Sequence, residues 1–101
     1  MTNLGPEVVD QAFRAAALLA SVGTETAILR QDIQHAEQAL QAALSQSATR
    51  VVLLERLVEA HESGQIPDAA YRNLIATMGR LLRASVDLTT ELARIAQSRR
   101  R

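Results

Sequence analysis

Cysteine is absent from the 101 residues, which excludes disulfides, thiolate metal sites and a cysteine nucleophile. Tryptophan and lysine are also missing, and Phe13 and Tyr71 are the only aromatic residues. So few rings do not fit a chain whose core is built from sheets. Net charge is absent too, with 11 basic residues against 11 acidic ones, and 48% of the residues are hydrophobic, which sets the chain apart from disordered sequences. The longest Ala/Leu-rich run, 15–22, is far short of the roughly 20 apolar residues a membrane span needs. Glu7 and Asp10 accompany Arg14 ahead of that run, which does not fit the basic start of a cleavable signal peptide. Every basic residue is arginine, as expected of a GC-rich genome, and a cytoplasmic protein of bacterial or phage origin is the expectation.

What the chain does contain is alanine (18) and leucine (14), the composition of helices packed closely on one another. The length leaves room for one core, so 1–101 reads as a single all-α domain with a short basic tail at 99–101. Gly64 suits the left-handed position after a helix end, and Pro67 suits the start of the next helix. The connection is short, as between antiparallel neighbours. Beyond it, Tyr71, Met78, Ser85 and Leu92 recur every seven residues, with Leu74, Leu81, Leu88 and Ile95 at the second seam position. The preceding stretch offers matching partners, with His61 facing Tyr71, Val58 facing Leu74, Leu54 facing Met78 and Val51 facing Leu81. Ser47 then faces Ser85, Leu44 faces Leu88 and Leu40 faces Leu92, so the two serines form a polar layer suited to fixing register. The expected architecture is a long antiparallel helical hairpin over about 25–63 and 67–98.

In the N-terminal third, Val8, Ala12, Ala15, Leu19, Val22, Thr26, Leu29, Ile33, Ala36 and Leu40 keep an unbroken 4-3 spacing. Gly23-Thr24-Glu25 nevertheless reads as a helix stop, an N-cap and an acidic first turn, which sets off a first helix over about 6–22. Folded back, that helix makes a three-helix bundle; a dimeric helical bundle is the other arrangement. Val52, Leu53, Leu57, Ile75, Leu82 and Val86 lie off the seam and form a second apolar strip. The strip is expected to be covered by a second copy of the chain or another protein, and burial under the first helix is the competing expectation.

Charge is neutral in total and uneven in distribution. Residues 1–68 carry nine acids and four arginines, a balance of −5, whereas 69–101 carry seven arginines and two acids, a balance of +5. On one helix Arg72, Arg83 and Arg94 fall within a narrow arc with Arg80 nearby, and Arg99, Arg100 and Arg101 follow. Such a face could meet an anionic partner or the phosphates of nucleic acid without sequence preference. Asp87 and Glu91 interrupt it, and no aromatic residue is interleaved for base stacking.

Residues for catalysis are scarce. His35 and His61 are the only histidines, and on one helix their 26-residue separation is roughly 39 Å. Glu62 and Asp68 stand near His61 around the turn, a dispersed set for a metal. His35 lacks the nearby lysine and glycine of phosphotransfer bundles, and His61-Glu62 resembles the His-acid pair of histidine kinase dimerisation helices but falls at a helix end. Leu29-Arg30, Ile33, Glu37, Leu40 and Leu44 are similar to the first helix of the all-helical chorismate mutases. The resemblance covers about sixteen residues, and Ser47 and Val58 stand where that family carries further cations. In length and outline the chain resembles small secreted W-x-G proteins, with Glu62-Ser63-Gly64 in place of their turn motif. These readings imply no enzyme, no cofactor and no metal. The expected function is a protein–protein interaction module, an adaptor, assembly chaperone or regulator working as a homodimer; the alternative is a non-specific nucleic-acid binder.

Overall fold

The computed structural model describes residues 6–21, 29–82 and 88–99. Among the described residues the chain is all-α, with five helices: α1 (Pro6–Ala20), α2 (Arg30–Leu44), α3 (Ser47–Glu62), α4 (Asp68–Leu82) and α5 (Leu88–Arg99). One buried cluster joins all five and contains Leu40, Leu44, Leu53, Leu54, Leu57, Leu74 and Met78 at its centre. The helical bundle expected from composition is therefore the fold, with more and shorter helices than a two-stranded seam implied.

The first helix folds back. α1 and α2 are the most closely packed pair, and the buried alanines Ala12, Ala16, Ala20, Ala36 and Ala43 permit that approach. The proposed stop at Gly23, with Val22, Thr26 and their neighbours, lies outside the described residues. Leu29, expected on the apolar stripe, is 65% exposed immediately before α2.

The expected helix over 25–63 is interrupted at Ser45–Gln46. Gln46 is extended, at φ −111° and ψ 125°, and Ser45 Oγ donates to the Gln41 carbonyl at 2.7 Å. Serine hydroxyls that bond locally to the backbone compete with helix continuation. The freed Leu44 carbonyl accepts from Arg50 Nη1 at 2.9 Å. The break shifts the buried face of α3 to Leu53, Leu54, Leu57 and Val58, leaving the expected seam positions Ser47 and Val51 exposed. Ser85, the other half of the expected polar layer, lies outside the described residues.

The expected helix over 67–98 is likewise two helices. As one rod it would measure roughly 48 Å, whereas the longest dimension of the whole molecule is 40 Å. α4 packs against α1 and α2, and α5 against α3. Two sets of contacts fix the sense of α5. Arg50 meets Glu91 at 3.2 Å, while Arg99 meets Glu62 at 2.9 Å and Glu59 at 3.7 Å. Positions on the two helices rise together, so α5 runs in the same direction as α3 and not antiparallel to it. Leu40, Leu44, Leu88 and Leu92 are all buried, within a five-helix cluster and not along one two-helix seam.

The turn between α3 and α4 matches its expectation closely. Gly64 has φ 83°, its N–H donates to the His61 carbonyl at 3.1 Å, and the Gln65 N–H donates to the Ala60 carbonyl at 2.9 Å. These two bonds are the Schellman closure of a helix C-terminus. Pro67 precedes α4 and its carbonyl accepts from the Tyr71 N–H at 2.8 Å. Across the turn the rings of His61 and Tyr71 stack with centroids 4.0 Å apart, the facing expected from the heptads.

Candidate interaction surface

α3 and α5 lie side by side and leave an open groove of about 490 Å³ between them, lined by Val52, Glu55, Arg56 and Glu59 from α3 and by Arg94, Ile95, Ser98 and Arg99 from α5. Val52 is 45% exposed and its neighbour Val51 40%, the two large hydrophobic residues of α3 left outside the core. Charged side chains make up most of the rest of the lining. Arg56 pairs with Asp10 of α1 and lies over the Phe13 ring, 4.5 Å from its centroid. Arg99 pairs with Glu59 and Glu62, and the hydrogen bond to Glu62 holds its guanidinium even more firmly protonated than usual. Glu55 and Arg94 form no salt bridge among the described residues, although the Glu55 charge adds to the field at Arg99.

The strip expected from the sequence is divided by the fold. Leu53 and Leu57 are fully buried in the chain's own core, and Ile75 and Leu82 are partly buried against it. Only Val52 remains exposed, and Val86 lies outside the described residues. The correction has a simple cause: α3 is packed by α1, α2 and α5, so it buries a wider arc than one partner helix would require. Glu55, Glu59 and Ile95, which complete the groove, were not legible as a set, because the antiparallel register set Leu88 and Leu92 against Leu44 and Leu40 of α2, whereas α5 packs against α3.

The arginine face is also divided. Arg72 and Arg80 belong to α4, whereas Arg94 and Arg99 belong to α5. Arg80 pairs with Glu37 at 3.6 Å and Arg99 with the two glutamates of α3, which leaves Arg72 and Arg94 without ion-pair partners among the described residues. Arg83, Arg100 and Arg101 lie outside the described residues.

His61 and Asp68 do meet, with Nε2 2.6 Å from Oδ1, while Glu62 turns to Arg99. No three His, Asp or Glu side chains among the described residues gather as metal ligands would. Tyr71, stacked on His61, has its phenol pushed above the ordinary value of 10.0, first by burial and then by the negative charge of Glu62. His35 is exposed on α2. A second cavity of about 280 Å³, lined by Ala17, Ala20, Ile66, Pro67 and Ala70 among others, presents mainly apolar walls between α1 and the start of α4. No buried side-chain polar atom lacks a partner among the described residues, and no helix among them is long and apolar enough to cross a membrane. No protein-family model, curated protein or solved structure matches the chain.

Proposed function

We propose that the chain is a non-enzymatic protein–protein interaction module, a small adaptor, assembly chaperone or regulator, that works as a homodimer. The observation carrying this reading is the pair of exposed valines on α3, Val51 and Val52, the second of which lines the groove together with Ile95. Exposed apolar side chains grouped on one face are a mark of protein contact surfaces, and isolated ones are not. Zero net charge removes the long-range repulsion that would oppose self-association.

The test replaces Val51 and Val52 together by Asp. A helical, thermally stable variant that sediments as a monomer under conditions where the parent is a dimer supports the reading. A variant that keeps the parent's mass removes this face from consideration. The alternative, a non-specific nucleic-acid binder, draws support from the described arginines of the expected face that form no salt bridge, Arg72 and Arg94, and these lie on separate helices. It requires binding that weakens steeply with salt.

A further inference from the structure

Resting on the homodimer reading, we infer that the groove between α3 and α5 takes a second copy of the same chain about a two-fold axis, with Glu55 of one protomer paired to the partner's Arg94 and the reverse. Register comes first. Arg50 meets Glu91 near one end of the groove, and Glu59 and Glu62 meet Arg99 at the other. Interpolation between these pairs places Glu55 on α3 abreast of Arg94 on α5. Both side chains line the groove and both are exposed.

They form no salt bridge with each other or with any other charge among the described residues, and Glu55 acts on Arg99 only through space, adding to the field that keeps that guanidinium protonated. The remaining charged residues of the groove, Arg56, Glu59 and Arg99, are all engaged within the chain. One acid and one base, neither held in a salt bridge, therefore stand on opposite walls of a groove to which Val52 and Ile95 add apolar surface. An isologous interface requires that residue i meet j of the partner and j meet i. A two-fold axis along the groove lays α3 of one protomer over α5 of its partner, which gives Glu55 and Arg94 a salt bridge twice and brings Val52 and Ile95 of the two copies together. Mixed sign on one groove also disfavours nucleic acid there, because Glu55 and Glu59 would face phosphates.

The pairing makes a test by charge exchange. Glu55→Arg gives a homodimer with two like-charged contacts, and Arg94→Glu does the same with the opposite sign. Mixed one to one, the two variants form both contacts correctly, as does the double variant with itself. Light scattering and sedimentation over a concentration series are run on all four and on the parent, with circular dichroism verifying helix content.

The expected result is a dimerisation constant weakened about tenfold or more in each single variant, with the mixture and the double variant returning to within about threefold of the parent. Single variants that dimerise like a dimeric parent overturn this pairing and leave the homodimer reading standing. A mixture that stays monomeric when both single variants are monomeric also overturns it, since the charges then do not meet each other. A parent that is monomeric throughout overturns the pairing and the homodimer reading together.

Discussion

Arg50 is the residue on which three helices meet. From α3 its guanidinium donates to the Leu44 carbonyl at the end of α2 and to both carboxylate oxygens of Glu91 on α5, at 2.9, 3.3 and 3.2 Å. The Arg50 and Glu91 side chains are only 13% and 19% exposed, so removing the cation leaves a poorly hydrated carboxylate and an unmet carbonyl. Arg50→Met is expected to cost about 2–3 kcal/mol in urea denaturation. The Arg80–Glu37 pair is looser and Arg80 is 66% exposed, so Arg80→Ala should change stability by less than about 0.5 kcal/mol. Equal losses from the two would contradict the role given to Arg50. Nothing in the sequence marks Arg50 among eleven arginines, because its carbonyl partner exists only through the break at Ser45–Gln46. Tyr71 offers a second reading at this scale, as the one tyrosine in a chain without tryptophan. Burial is the larger cause of its raised phenol, so an alkaline absorbance titration should give a midpoint above 10.0 that Glu62→Gln lowers only in part. The folded state holds this proton more tightly than the unfolded one. Its stabilising effect is therefore complete below pH 10 and lost as pH rises through the folded midpoint.

At the scale of elements, the two described glycines that lie in or beside α4 and its preceding turn behave oppositely. Gly64 has φ 83° and completes the C-terminal closure of α3, so Gly64→Ala should destabilise by about 1 kcal/mol. Gly79 is helical and exposed, and a Cβ there would meet nothing within 4 Å, so Gly79→Ala should stabilise by about 0.5–1 kcal/mol. Thermal melts of the two should shift in opposite directions. Leu53→Glu separates core from interface on α3: with Leu53 fully buried, a loss of about 4 kcal/mol or more is expected, not a well-folded monomer. The α3–α4 turn was legible because glycine and proline act through their own backbone geometry. The break at Ser45–Gln46 contains neither, and the apolar spacing runs through it without a visible change of phase. For the same reason the heptads of 71–95 identified buried faces on both α4 and α5 without showing that these are separate helices with different neighbours.

For the whole molecule, folding joins the acidic and basic parts of the chain at a few points. The Arg80–Glu37, Arg99–Glu59 and Arg99–Glu62 pairs each join the basic last third to the acidic part that precedes it. The sequence displayed the two charge populations but not these partners, which depend on α4 lying against α2 and α5 against α3. In the groove between α3 and α5, folding leaves an acid and a base abreast without a salt bridge, with exposed valine beside them. A second copy of the chain is the proposed partner of these two residues. Size-exclusion chromatography with light scattering, at low and high salt and with refractive index and ultraviolet absorbance recorded together, tests it most directly. A homodimer gives twice the 11.0 kDa of one chain at both salts, with no more absorbance than one tyrosine per chain supplies. A particle of 11.0 kDa at every concentration, or one that carries nucleic acid at low salt and sheds it at high salt, would contradict it.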